Sequence, residues 1–217
     1  MENQNKRSGA YSSGCYDSHP YILLNYTGNI NDVFTLAHEA GHSMHSDYSR
    51  KNQPYVYADY PIFVAEVASS FNEQLLLNSL LKNAKSSKEK AYLLCYAIDA
   101  IRATLSRQTL FAEFELKLQN WVEKGIPLTP QFLRKEYKIL KEEYYGPDLT
   151  LDELIEIEYL RIPHFFHYGF YVYQYATGIS AALALVEKTT KDPKAIENYL
   201  TFLSSGSSKF PLELLET

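Results

Sequence analysis

Five residues, His38-Glu39-Ala40-Gly41-His42, constrain this chain more than any other stretch. Residues four apart lie one turn above each other only on an α-helix. Both imidazoles can then reach one tetrahedral zinc at about 2.0–2.1 Å. The surrounding spacing agrees: from Asn31 the sequence takes up helical periodicity, with Asn31 or Asp32 as N-cap and Val33, Ala37, Ala40 and Met44 along one stripe. Glu39, about 100° round the helix from His38, then stands beside a metal-bound water rather than on the metal. Gly41 removes a side chain where another element can approach closely.

Catalytic zinc usually has three protein ligands, so the two histidines need a third partner. His45 lies on nearly the same face, but its backbone is about 10.5 Å along the axis from His38, too far for the three to converge comfortably. It reads as orienting a ligand, as facing substrate, or as structural. Glu66 is the stronger candidate. It interrupts the apolar run Phe63-Val64-Ala65-Glu66-Val67-Ala68 in a second helix, which has Pro61 in its first turn and continues through Phe71 and Leu75 to about Leu81. An unpaired carboxylate is costly to bury there, and a zinc ion or a buried salt bridge would remove the cost. Glu73 shares that helix face and can hydrogen-bond a ligating histidine or sit in solvent.

The remaining chain is mostly helical. Tyr21 to Asn25, between Pro20 and Gly28, reads as a strand at which an extended peptide could add if it lies at a sheet edge. Pro54 to Pro61 is a Tyr-rich connection. One long helical pattern runs from Lys88 to Lys124 and stops at Gly125-Ile126-Pro127; Thr129-Pro130 caps the next, which ends near Gly146-Pro147. A short helix from Leu151 to Leu160 precedes a buried helix from His164 to Lys188, and Asp192-Pro193 opens one more. His164, Tyr168, Tyr171 and Tyr175, at 0, +4, +7 and +11, share one stripe of that helix, so a histidine and several phenols could face the zinc together.

The 217 residues include 19 Tyr and 11 Phe, and 46% are apolar, too rich for a solvated tail. A net charge of −5 argues against a broad nucleic-acid surface. Two cysteines, Cys15 and Cys95, make no disulfide framework; buried apolar roles suffice for them, and a single bridge stays open. The opening Met1–Arg7 lacks the apolar core of a secretory signal, and no apolar run is long enough to span a membrane, so a soluble, cytoplasmic protein is expected.

Taken together, Arg7-Ser8-Gly9-Ala10-Tyr11, Pro20-Tyr21-Ile22-Leu23-Leu24-Asn25-Tyr26, the 38–42 motif, Phe63-Val64-Ala65-Glu66 and the stretch from Ile162-Pro163-His164 through Tyr175-Ala176-Thr177-Gly178 resemble the oligoendopeptidase F family of zinc metallopeptidases, related to thimet oligopeptidase and neurolysin. The resemblance covers essentially the whole chain. It implies a mainly α, zincin-like catalytic domain over residues 1–217 with a small β element near the N-terminus. His38, His42 and Glu66 would bind one zinc, with Glu39 as general base. The family also uses a histidine and tyrosines near residue 164; His164 and Tyr171 are favoured as catalytic, with Tyr173 or His167 as alternatives, and Tyr168, Tyr175 and His45 as substrate-binding. The expected reaction is hydrolysis of internal bonds in short, unstructured peptides. Family members are longer, with an N-terminal helical region closing over a substrate channel and chain continuing beyond Thr217. This is then the catalytic part alone, and an N-terminal half or a second copy could complete the channel. Two alternatives stay open: a carboxypeptidase on the same scaffold, with Arg161 as cation for the substrate's carboxylate, and a non-catalytic peptide-binding remnant.

Overall fold

The computed structural model describes Asn5 and residues 9–216. Most of the polar opening Met1–Arg7, Arg7-Ser8 of the family-like segment, and Thr217 lie outside the described residues. The chain divides into two compact units, Met1–Ile98 with Thr177–Thr217, and Asp99–Ala176.

In the first unit, β1 (Ala10–Ser13) and β2 (Tyr21–Leu24) pair antiparallel with Ser12 opposite Ile22. An isolated hairpin is marginal in water; both strands here pack on α1 (Ile30–Asn52). The strand expected over 21–25 is present. Helix α1 starts earlier than the sequence suggests: Asn29 is the N-cap, accepting from the Asp32 N–H, and the Asp32 carboxylate accepts in return from the N–H groups of Thr27, Gly28 and Asn29. Asp32 is thus the third residue of a capping box rather than the cap.

Burial on α1 follows Phe34, Gly41, His45 and Ser49, not the apolar stripe from Val33 to Met44, and Met44 is exposed. The reason is a close backbone approach. A Cβ added to Gly41 would lie 2.6 Å from the Ala68 carbonyl oxygen and 2.7 Å from Ser69 Cα on α3 (Ile62–Asn83). The buried positions therefore follow the approach of α3 at Gly41 rather than the most apolar stripe. Residues 64–71 of α3 are all buried, as in a helix enclosed by neighbours. Pro61 is its N-cap and not part of its first turn.

Val64, Val67 and Phe71 pack with Ala182 and Val186 of α8 (Tyr173–Lys191), Tyr199 and Phe202 of α9 (Pro193–Leu203), and Leu214 of α10 (Pro211–Leu215). Asp192 caps α9 as expected. Phe34, Leu77 and Leu93 of α4 (Ser87–Ile101) form a second cluster. The 54–61 connection contains one helical turn, α2 (Tyr55–Ala58). Cys15 and Cys95 are exposed free thiols, which corrects their expected burial.

The second unit contains a π-helical stretch, Arg102–Ser106, followed by α5 (Arg107–Glu123), so the long pattern from residue 88 is helical but not uniformly α. Thr129 caps α6 (Pro130–Tyr145), and the short helix expected near 151–160 is a 3-10 helix, Glu153–Arg161. Leu110 and Phe114 of α5 pack against Tyr137, Leu140 and Tyr159.

The main departure is at 164–188, which is not one helix. A single turn, α7 (His164–His167), is separated from α8 by a bend in which Phe170 has φ 54. The Phe170 N–H donates to the buried Glu115 carboxylate at 2.7 Å instead of to a carbonyl one turn back, which interrupts the helical ladder. Among the described residues no helix is long and apolar enough to cross a membrane.

Candidate metal centre

His38 and His42 on α1 and Glu66 on α3 bring one donor atom each to a common point, all within 4.8 Å of one another. The two Nε2 atoms are 3.1 Å apart, and Glu66 Oε2 lies 3.4 Å from His38 Nε2 and 3.8 Å from His42 Nε2. A tetrahedral ion with bonds of about 2.0–2.2 Å needs donors roughly 3.3–3.5 Å apart, so this trio fits one.

Each donor is held from behind. Glu73 Oε1 accepts from His38 Nδ1 at 2.5 Å, so the proton sits on Nδ1 and the Nε2 lone pair faces the trio. His42 is bonded to the Ala65 carbonyl, and Ser69 Oγ donates to Glu66 Oε2 at 3.0 Å. Two glycines let the elements meet. Besides Gly41, Gly178 on α8 passes so close to α3 that its Cβ would lie 2.8 Å from Glu66 Cβ.

Three electron-pair donors at this spacing repel unless a cation or a proton sits among them. Burial would lower the His38 pKa, but the Glu73 hydrogen bond and the charges of Glu73, Glu66 and Glu39 outweigh it and raise it. Burial and the His38 charge push His42 down to about 4. Burial raises Glu66, against the pull of His38 and Ser69.

Glu39 projects from the same helix but stays off the trio. It is 6% exposed and accepts a hydrogen bond from the Ser12 main chain on β1. Burial raises its pKa; His38 and the Ser12 bond oppose this, and Glu66 adds to it. The Asn25 N–H bond to the Gly9 carbonyl sets the phase of the hairpin, which turns the main-chain groups of Ala10 and Ser12 away from β2. The open edge beside Glu39 therefore belongs to β1, a strand the sequence reading did not identify, and not to residues 21–25.

His45 does not join the site. It is 1% exposed, stacked on Tyr60 at 3.6 Å between ring centroids and next to Phe202 at 5.3 Å. Its ring has no face for a substrate, so its assignment as substrate-binding is corrected to a core residue. Burial and the charge of His42 push its pKa to about 3.

In the second unit the four residues named from the 164–175 stripe do gather, although the helix expected to align them is broken. His164 stacks on Tyr171 at 5.0 Å, Tyr168 lies 5.7 Å from Tyr171, and Tyr175 Oη is 3.3 Å from His164 Nε2. Burial lowers the His164 pKa, which favours the neutral imidazole. Of the alternatives, His167 meets the Tyr168 ring at 6.3 Å and Tyr173 is exposed. The sequence reading missed Ser12, Ser69 and Glu115. A serine one turn beyond Glu66 was visible as a signal; the other two act across long sequence separations and left none.

The sequence profile of Peptidase family M3 matches residues 1–217. Oligopeptidase PepF of Bacillus subtilis is 50% identical over 216 residues, which are 99% of this chain and 32% of that protein. Among crystal structures, a Chlamydophila abortus protein described as a peptidase superposes with a TM-score of 0.86 at 57% identity, covering 99% of this chain and 36% of that one. Oligoendopeptidase F of Enterococcus faecium gives 0.74 at 42% identity, covering 86% and 34%. The chain thus spans about a third of the length of these relatives.

Proposed function

Because the chain belongs to Peptidase family M3, we propose that it is the catalytic part of a zinc-dependent oligoendopeptidase that hydrolyses internal bonds of short, unstructured peptides. The observation that carries this reading is the convergence of His38, His42 and Glu66 on one point, with a carboxylic acid that is not part of the trio beside it.

Zinc held by His38 Nε2, His42 Nε2 and Glu66 Oε2 would supply Lewis acidity, making a water more acidic and a peptide carbonyl more electrophilic. Glu39 is the general base. Its carboxylate takes a proton from the attacking water and delivers it to the departing amine. Its raised pKa brings it closer to neutrality, where one group can both accept and return a proton, and the Ser12 bond fixes its orientation. Glu73 keeps His38 in the tautomer whose Nε2 is free to ligate.

An extended peptide can pair with the outward main-chain groups of β1 other than the Ser12 N–H, which Glu39 holds; this requires no particular side chains and suits varied, unfolded substrates. His164 and Tyr171 are proposed to donate hydrogen bonds to the oxyanion that forms on the scissile carbonyl. Tyr168 and Tyr175 are proposed to bind substrate.

The test is metal analysis together with a digest of an unstructured, end-blocked peptide, using the chain alone and with the N-terminal part of a relative supplied in trans. We expect one zinc per chain, and internal cleavage that survives C-terminal amidation. Glu39→Gln should keep the zinc and lose turnover by several orders of magnitude. Full activity in that variant, or bound zinc with no cleavage under either condition, refutes the reading.

A further inference from the structure

A cavity of about 370 Å³ lies wholly within the second unit, beside the π-helical stretch, α6 and the 3-10 helix. Glu158 forms part of its wall. Arg107 donates to Glu158 Oε1 through Nε, at 3.1 Å, and through Nη2; Lys141 Nζ and the Tyr137 hydroxyl, the latter at 2.8 Å, occupy Oε2. Four donors fill the four acceptor directions of one carboxylate.

The donors are not exhausted. An ammonium has three protons and a guanidinium five, and among the described residues Glu158 is the acceptor that both side chains share. The charge is also unbalanced. Two cations meet one anion where Lys141 is 2% exposed. Arg102 adds a third cation at the rim, where its ion pair with Asp99, 3.5 Å away, is exposed and weak. Among the described residues, Glu158 is the one carboxylate that lines the cavity. Aromatic faces relieve part of the surplus, with the Tyr145 ring 5.0 Å from Lys141 Nζ and Phe111 4.7 Å from the Arg107 guanidinium. They offer no strong acceptor. The remaining walls are mainly apolar, among them Leu149 and Ile155.

The geometry points to a binding site for a carboxylate that carries a short apolar group. The carboxylate seats on the free edge of the Arg107 fork and on Lys141, and the apolar group lies against Leu149 and Ile155. A guanidinium fork matches a carboxylate in shape as well as charge, and the volume lies at the small end of the range of ligand pockets, about 300–1,000 Å³. Such a carboxylate can be the free C-terminus of a peptide or a free branched-chain acid. The site shares no residue with the metal centre and stands whether or not the chain hydrolyses peptides.

The experiment is a titration of protein stripped of metal on a chelating resin, so that neither a metal nor a soluble polycarboxylate chelator competes. N-acetyl-leucine stands for the peptide terminus and 4-methylpentanoate for the free acid; N-acetyl-leucinamide and sodium chloride at matched ionic strength are the controls. The readouts are the Nε–H resonance of Arg107 and the calorimetric stoichiometry. A saturable shift with one site per chain is expected for N-acetyl-leucine, and none for either control. Binding by 4-methylpentanoate assigns the free acid as sufficient, and its failure assigns the peptide terminus. Arg107→Lys, which keeps the charge but loses the fork, should weaken binding about tenfold. The rim variant Arg102→Gln, which does not disturb the interior, should weaken it about threefold. An equal response to the amide or to chloride, no saturation with either acid, or unchanged affinity in Arg102→Gln overturns the proposal.

Discussion

Replacing Gly41 by Ala tests how the metal centre is held together. An alanine in the middle of a helix is normally stabilising relative to glycine, by about 0.8–1.0 kcal/mol. Here the added Cβ would meet the Ala68 carbonyl oxygen at 2.6 Å and Ser69 Cα at 2.7 Å, against ordinary contacts of about 3.5 Å. Both obstacles are backbone, so no side chain can swing aside, and α1 and α3 must part by roughly 0.8 Å. Overpacking of this kind costs about 1–3 kcal/mol, and rigid obstacles put it at the upper end. Set against the helix preference, the net loss is about 2 kcal/mol, opposite in sign to the usual exchange. The same displacement separates the histidines from Glu66, while metal–ligand distances tolerate only about 0.2 Å. Zinc affinity should therefore fall by at least about tenfold. Urea unfolding in EDTA reads the first effect, and competition with a chromophoric chelator reads the second. A variant as stable as the parent or more so, with unchanged zinc affinity, would show that the helix contact does not set the donor spacing. Lost stability with intact affinity would separate the two effects and refute the second half of the reasoning.

Glu73→Ala should lower zinc affinity about 10–100-fold by freeing the His38 ring, with Glu73→Gln recovering much of the loss because its amide oxygen can still accept from Nδ1; equal affinity in all three proteins would show that His38 needs no orienting partner. A third prediction concerns acid stability. Burial would raise the Glu158 pKa, but bonds from Lys141, Arg107 and Tyr137 outweigh it and hold the carboxyl at about 2, below the ordinary 4.5. A group whose pKa is depressed by folding stabilises above its unfolded value, so this contribution, up to ~3 kcal/mol, is present above pH 4.5 and disappears as pH falls toward 2. Trp121, which packs on Phe114 in the same core, reports the transition by fluorescence, and Glu158→Gln should flatten the pH slope in that window; an unchanged slope assigns the acid sensitivity elsewhere.

The candidate metal-binding trio was legible as a cluster because its requirements are local or compositional. His38 and His42 follow from helical spacing, and Glu66 stands out as a charge inside an apolar run. The β2 strand and the caps at Thr129 and Asp192 were legible for the same reason. Features set by distant partners were not. The buried stripe of α1 is set by distant partners: α3 meets Gly41 and the Ala58 carbonyl accepts from Ser49, while Met44 stays exposed. His45 looks like a site residue because it lies near the motif in sequence, whereas Tyr60 and Phe202 enclose it. The break after α7 needs Glu115, 55 residues away, to capture the Phe170 N–H. Periodicity placed the four rings of 164–175 together, as the structure does, but by a straight helix that does not exist.

That last bond has a consequence for anyone who would transplant the aromatic segment. Residues 164–175 contain all four rings of the knot yet not the acid that bends them toward one another. Grafted onto a foreign scaffold without a buried carboxylate beneath the bend, the same twelve residues would be free to straighten. The knot is a property of two strangers in the sequence, and it travels only if both make the journey.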